Sequence, residues 1–385
     1  MAVRGRRSYD VAFYIPWIGS LLAPGSSLPA GGAETQLYLL ARELARLGRR
    51  VCLVSYALPG LPARVDGIDV VPRPPARWRE IKGPAGKLAE IVTVWRAVAG
   101  VDARTFVQRG THPETGLVAL AAKARGRRFV YSSANDIDFD WGSVAARHNV
   151  ALFHVGVRLA DAIVVQTAVQ ERLCLECFGR EPILIRSLVE PAQVPRSQPE
   201  AFLWIGKLTP YKRPLEFVEL ARAVPEARFW MVGVASEKES APIAAELERA
   251  TAEVPNIELL DPRPRAELME LVERAVAIVS TSEYEGMANV MLEGWARGVP
   301  ALALAHDPDG LIEGEELGAC AGGSRERLAA VARDLWRTRS DDPRGELAQR
   351  CRGYVEREHS PHAAAERWLR ALALSPDGHT SALAT

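Results

Sequence analysis

The stretch AVAIVSTSEYEGMANVMLEGWARGVP, Ala275 to Pro300, joins two apolar runs through a short turn of small residues. The first run, AVAIVSTS (Ala275–Ser282), is short and nearly continuous, the pattern of a buried strand. The second, VMLEGWARG, has the length and composition of a helix stopped by Gly298. Between them Glu285 and Glu293 stand either side of Gly286, Met287, Ala288 and Asn289. A strand, a tight turn and a helix with acids at both edges is where α/β proteins place a ligand. N–H groups at a helix start favour an anion, phosphate above all. Glu293 is expected within the first turn or so, where its carboxylate can accept from vicinal hydroxyls such as those of a ribose. Glu285 is expected at the strand exit. A plainer reading is equally open for the turn alone: Asn289 caps the helix and Glu293 complements its dipole.

The alternation continues outward in both directions. YDVAFYI, RRVCLVSY, GIDVVP, RTFVQR, RFVYSS and AIVVQT are strand candidates in the first half, and AFLWIGKL, ARFWMVGV, NIELLD and VPALAL in the second. Longer amphipathic runs separate them, which predicts parallel sheets with crossover helices. Leu37, Leu40, Ala41, Leu44 and Leu47 mark one face of a helix from about Glu34, ended by Gly48. LVEPAQVPRSQPEA (Leu188–Ala201) has three prolines and no periodicity, a linker by composition. The expected fold class is therefore α/β, with two Rossmann-like doubly wound parallel-sheet domains, 1–194 and 195–385, facing across a cleft. The helix around 360–374 is expected either in the second domain or packed back on the first.

Bulk properties narrow the classes. At 385 residues the chain suits two domains. Lysine plus arginine and aspartate plus glutamate are each 48, so no global field argues for nucleic acid. Five scattered cysteines fit a reducing compartment. Cys174 and Cys177 form a C-x-x-C without a partner pair or a helix N-terminus, and are expected to be incidental. Asp10 interrupts the apolar part of the basic N-terminus, which does not read as a leader, and no apolar run approaches a bilayer span.

The second half adds cations to the turn. In WIGKLTPYKRPLEFVELA (Trp204–Ala221) a strand ends near Gly206, and Lys207, Lys212 and Arg213 crowd the loop before a helix. Placed at the same sheet edge as the helix start, they suit a diphosphate, especially one leaving with its full charge. In the first half Gly31 and Gly32 precede a helix. This is not G-x-G-x-x-G, so neither half carries a dinucleotide fingerprint, but a glycine pair there lets backbone approach a bulky anion.

GGAETQLYLLARELARLGRRV, FLWIGKLTPYKRPLEFVELA and EGMANVMLEGWARGVP together resemble the retaining glycosyltransferases of family four, the glycosyl transferases of group one. The last of them contains that family's E-x7-E as Glu285 and Glu293. LADAIVVQTAVQERLCLECFG and DPDGLIEGEELG add weaker likeness, so most of the chain is covered. The resemblance implies the GT-B architecture and transfer of a sugar from a nucleotide-diphosphate sugar to an acceptor hydroxyl, in polysaccharide or glycoconjugate biosynthesis. It implies donor contacts at Gly31, Gly32, Gly206, Gly286, Asn289, Val290 and Glu293. Lys207 and Lys212 would neutralise the diphosphate and Glu285 would contact the donor sugar. The nucleotide sugar is a co-substrate, and neither cofactor nor metal is expected.

Three departures stand out. Lys207 replaces the family's usual arginine, a point charge for a fork. Ser187 stands where asparagine is common. Where many members carry a histidine after the fifth strand, FVYSSANDID offers Asn135, followed by Asp136 and Asp138. His112, His306 and Arg213 are further candidates with surface alternatives.

Acceptors belong to the first domain in this architecture: a lipid-linked saccharide, an exopolysaccharide or a small molecule. Residues 72–98, net basic with Trp78 and Trp95, suit an anionic bilayer or a lipid-linked glycan. A loop and a core-packed helix with a solvated basic face is the plainer expectation. Together these features imply a cytoplasmic protein, with contact at the inner face of the membrane left open. The alternatives are a non-catalytic nucleotide-sugar-binding protein of GT-B fold, a sugar phosphorylase or an epimerase.

Overall fold

The computed structural model describes residues 9–23, 31–74, 81, 83–112, 114–139, 150–192, 198–235, 240–339 and 345–374. Trp78, the N-terminal eight residues, the expected boundary at 194/195 and the end of the chain past Leu374 lie outside them. The chain divides into two compact units, residues 1–188 with 361–385, and residues 189–360.

The first unit is built on eight strands: β1 (Tyr9–Tyr14), β2 (Val51–Tyr56), β3 (Arg64–Val65), β4 (Ile68–Arg73), β5 (Ala103–Arg109), β6 (Arg128–Ser132), β7 (Ala162–Val165) and β8 (Ile183–Leu184). Their order is β3-β4-β2-β1-β5-β6-β7-β8. All pairs are parallel except β3 with β4. Both faces are covered, which is why the strands read as near-continuous apolar runs. Val11 and Phe13 pack on one face with Leu37, Leu40 and Leu44 of the helix Gly32–Arg46. Ala12 and Tyr14 pack on the other with Val94, Val98, Phe106 and Phe129. Leu47 is only partly buried, and Gly48 ends the helix with φ of 76°.

The helix Pro361–Ala371 lies in this unit, with Ala364, Trp368 and Leu369 in the same core as Leu37 and Leu40. Arg128 holds it from below, Nη2 donating to the Ala371 carbonyl at 3.1 Å. At the other end of the unit, Gln36 exchanges two 2.7 Å hydrogen bonds with the backbone of Leu188.

The second unit carries β9 (Ala201–Lys207), β10 (Phe229–Val234), β11 (Ile257–Leu260), β12 (Ala275–Ser280), β13 (Ala301–Ala303) and β14 (Gly318–Cys320). They form one parallel sheet in the order β11-β10-β9-β12-β13-β14. Strand order reverses between β9 and β12, the topological switch point at which open α/β sheets leave a crevice. In the first unit the same reversal falls between β1 and β5. Each unit is thus a doubly wound Rossmann-like domain.

Candidate functional site

In the second unit the switch point sets the loop after β9 beside the loop after β12. Trp204 on β9 donates from Nε1 to Thr281 Oγ1 at 3.0 Å, and Thr281 donates in turn to the Lys212 carbonyl at 2.6 Å. The Glu283 N–H donates to the Tyr211 carbonyl at 2.9 Å. The rings of Tyr211 and Tyr284 stack with centroids 4.9 Å apart. Two loops separated by some seventy residues are therefore one structure, and they bring Lys212 into contact with Glu285. Ser282 Oγ donates to the same carboxylate oxygen at 3.1 Å.

Beyond Glu285 the chain passes buried Gly286 and enters the helix Asn289–Ala296. Its capping position is Ala288, with φ of −67° and ψ of 117°, so no side-chain oxygen caps it. The reading of Asn289 as the cap is corrected: Asn289 is the first helical residue. The helix's internal bonds begin with Met291 N–H to the Ala288 carbonyl at 3.1 Å, leaving the Val290 N–H outside its ladder.

Glu293 falls just past the first turn, close to where it is expected. It is the fifth residue of the helix, 7% exposed, with Oε1 accepting from Arg265 Nη2 at 2.6 Å. Arg265 opens the neighbouring helix Arg265–Glu273. Sequence reasoning missed it; its one signal was a cation at a helix start following β11.

Lys207, the last residue of β9, is exposed and makes no ion pair among the described residues. Gly206 precedes it, close enough to the Trp204 ring that a Cβ there would stand 2.9 Å from it. Arg213 takes a left-handed φ of 48° between the short turn Pro210–Lys212 and the helix Pro214–Ala223. Its guanidinium is turned to Glu216 at 2.9 Å, which also holds Arg325, so Arg213 does not join Lys212 and Glu285.

In the first unit, Gly31 sits at the start of its helix, as expected, but the approach to it is filled. A Cβ on Gly31 would lie 2.3 Å from Glu34 Oε2, so the helix's own carboxylate covers Gly31. At the carboxyl end of β5 stands Arg109, 7% exposed, its pKa pushed down to about 10 by burial against the opposing pull of Asp138 and Glu34. His112 follows, half-buried, its pKa also lowered by burial and opposed by the same two carboxylates. Asp138 accepts from Thr111 Oγ1 at 2.6 Å and from the Ala134 N–H at 2.7 Å. Asn135 lies beside it, with Oδ1 buried and no hydrogen-bond partner among the described residues. Asp136 instead accepts from Gln170 Nε2 at 3.0 Å. Arg109 and Glu34 were not singled out from the sequence. Gln108-Arg109, two polar residues ending a buried strand, was the available signal.

Ser187 is buried and donates to Gln166 Oε1 at 2.5 Å. In the second unit, His306 has its Nε2 buried without a hydrogen-bond partner among the described residues. Cys174 and Cys177 lie on the helix Ala168–Phe178, and burial pushes the Cys174 thiol up to about 11, away from thiolate chemistry. Among the described residues no group of three or more His, Cys, Asp or Glu is placed to hold a metal ion.

Residues 31–187 match the family model of the glycosyl transferase 4-like domain, and residues 199–338 that of the glycosyl transferases group 1. No curated protein sequence matches. Among solved structures, the chain is similar to HepE of Anabaena in complex with UDP and glucose, with a TM-score of 0.72 and 15% identity over 95% of this chain and 99% of that one. It is similar to sucrose-phosphate synthase of Thermosynechococcus elongatus, with a TM-score of 0.71 and 17% identity over 94% and 98%. A mutant of TarM from S. aureus, solved with fondaparinux, alpha-GlcNAc-glycerol and UDP, gives 0.61 and 18% over 74% of this chain, which spans 59% of that one. With one domain model on each unit and the GT-B fold matched along nearly the whole chain, the protein belongs to the family 4 glycosyltransferases.

Proposed function

We propose that the protein transfers a sugar, with retention, from a nucleotide-diphosphate sugar to an acceptor hydroxyl in polysaccharide or glycoconjugate biosynthesis. The observation that carries this reading is the contact of Lys212 with Glu285 at the β9–β12 switch point, with Glu293 and Arg265 one helical turn further on. A cation, an acid, a helix start and a second acid follow one another in the order sugar, diphosphate and ribose would require.

Glu293 accepts hydrogen bonds from the ribose hydroxyls. The N–H groups at Asn289 and Val290, with Lys207 and Lys212, hold the diphosphate, and Gly206 and Gly286 stand at the ends of the two loops that flank it. Glu285 contacts the donor sugar. In the reaction the bond from the sugar's anomeric carbon to the diphosphate oxygen breaks, and its electron pair leaves with the diphosphate. The acceptor oxygen bonds the same carbon on the same face, and its proton passes to the departing phosphate oxygen. The lysines and the helix start meet the charge that develops, so no metal is required of this chemistry. Arg109, His112 and Asn135 are the first unit's candidates for sugar or acceptor hydroxyls. HepE and TarM were solved with UDP, so a uridine donor is the first to test. Five free cysteines fit the reducing cytoplasm as its compartment.

The test is a thermal-shift panel of UDP, GDP, ADP and their sugar conjugates, run with Glu293→Ala alongside. A ligand at a hundred times its Kd adds about 2.7 kcal/mol of stability. One nucleotide series should raise Tm, and the variant should lose the rise. A shift with sugar phosphates and none with any nucleotide would move the reading to a phosphorylase, and nucleotide binding without turnover to a binding protein. Retention is checked by the anomeric configuration of the product.

A further inference from the structure

The helix Pro84–Gly100 packs on the first sheet through Gly86, Glu90, Val94 and Val98, spaced as one helical face. The opposite face, which on a surface helix is ordinarily polar, is apolar too. Leu88 is 62% exposed, Ile91 43%, Val92 40% and Trp95 43%, and Ile81 just ahead of the helix 42%. Positions 88, 91, 92 and 95 form a single stripe. Of the ten large hydrophobic side chains exposed among the described residues, these are five, so the apolar surface is concentrated here rather than scattered. The helix is core-packed on one face, as expected, and its solvated face carries the basic Lys87 and Arg96 but also this apolar stripe.

Charge sorts the same way. The helix carries Lys87, Glu90 and Arg96 as its only ionisable residues. Glu90, the one acid, is turned inward and bound to buried Arg73 at 2.7 Å, which leaves the outer face with Lys87 and Arg96 alone. An open groove of about 730 Å³, lined by Val71, Pro72, Pro74, Leu88, Val92 and Arg96, continues the stripe toward β4. No helix among the described residues is long and apolar enough to cross a membrane.

We propose that this face docks the first unit on an anionic phospholipid bilayer, the helix lying in the interface with Leu88, Ile91, Val92 and Trp95 at the boundary of headgroups and acyl chains. Lys87 and Arg96 meet the lipid phosphates, and the indole of Trp95 takes the interfacial position that suits its apolar body and polar N–H. The withdrawn acid is what makes the surface complementary to anionic rather than neutral lipid. The proposal is independent of the donor reading above.

The full chain is sedimented with phosphatidylcholine vesicles, with and without phosphatidylglycerol, at low and high salt. Wild type should pellet with the phosphatidylglycerol vesicles, less so at high salt, and Leu88→Glu and Trp95→Glu should each weaken the partition about tenfold or more. Both sites are exposed, so the fold should survive, and Leu259→Glu, at an exposed leucine of the second unit, controls for added charge. Wild type left in the supernatant with every vesicle, or variants that pellet as wild type does, would overturn the proposal. So would a dimer without lipid, seen by sedimentation equilibrium and lost in Leu88→Glu, together with no vesicle binding; the stripe would then belong to a second copy.

Discussion

Arg265 Nη2 lies 2.6 Å from Glu293 Oε1, joining the first residue of one helix to the second turn of another. The carboxylate is nearly buried while the arginine side chain is 44% exposed, so the pair is anchored on the acid and open on the base. A carboxylate held by one oxygen retains acceptor capacity on the other, and that is what vicinal hydroxyls need.

Glu293→Ala should therefore weaken nucleotide binding by about 1.5–3 kcal/mol, the range for hydrogen bonds to a charged group. Arg265→Ala, which leaves the acceptor in place but loosens it, should cost less. Calorimetric titration of both variants with the nucleotide found in the thermal-shift panel checks the order. Equal losses would mean that Arg265 touches the ligand itself.

Lys212 and Glu285 predict a different kinetic signature. Removing a cation that meets charge developed only in the transition state lowers kcat more than it raises KM. Lys212→Met should reduce kcat about 10²–10³-fold, with a smaller effect in Lys207→Met, whose side chain is exposed at the end of β9. Steady-state release of the nucleoside diphosphate gives both constants. A change confined to KM in Lys212→Met would make it a binding residue only.

A buried ion cluster in the first unit governs stability instead. Arg73, 2% exposed, binds Glu90 at 2.7 Å and Glu114 at 3.2 Å and contacts the Tyr14 hydroxyl. Tyr14 and Tyr56 both donate to Glu114, at 2.8 and 3.2 Å. Arg73→Met would leave two buried carboxylates facing each other, and the loss should be about 3–5 kcal/mol in urea unfolding. Burial first, and Glu114 second, hold the Glu90 carboxyl above its usual range. The folded state then binds more protons than the unfolded one above about pH 4.3, so stability falls as pH rises from there to the raised value. Glu90→Gln should flatten that segment of the Tm–pH curve.

The alternation of apolar strands and amphipathic helices was legible because parallel sheets covered on both faces impose it on every strand. The turn at 285–293 was legible because strand, glycine, acid and helix are adjacent in the chain. What was not legible depends on distance in the chain. Arg265 meets Glu293 only because two helices start side by side, and Glu34 covers Gly31 only through the rotamer it takes. Arg73 looked like part of an exposed basic segment. Its burial follows from Glu90 on the next helix and Glu114 beyond β5, partners no local pattern reveals. The short β3 and β14 also escaped, being two and three residues long.

Gly116 tests packing that composition does not announce. A Cβ on Gly116 would stand 2.0 Å from the Leu152 carbonyl oxygen, and one on Gly156 would stand 2.9 Å from the Gly116 nitrogen. The helices Thr115–Lys123 and Val150–Leu159 thus touch backbone to backbone, with glycine on each side of the crossing. Neither glycine is needed for a left-handed φ, since both are helical, and alanine would be the better helix former in isolation. Gly116→Ala should nevertheless destabilise, by about 1–3 kcal/mol, because the helices must separate to admit the methyl. Gly126, with φ of 66° and nothing within 4 Å of a Cβ, is the contrasting case. Gly126→Ala meets no neighbour and should lose only about 1 kcal/mol from its left-handed backbone. Urea midpoints of the two variants separate crowding from backbone strain. If Gly116→Ala matches or exceeds wild type, the close crossing of these helices is wrong.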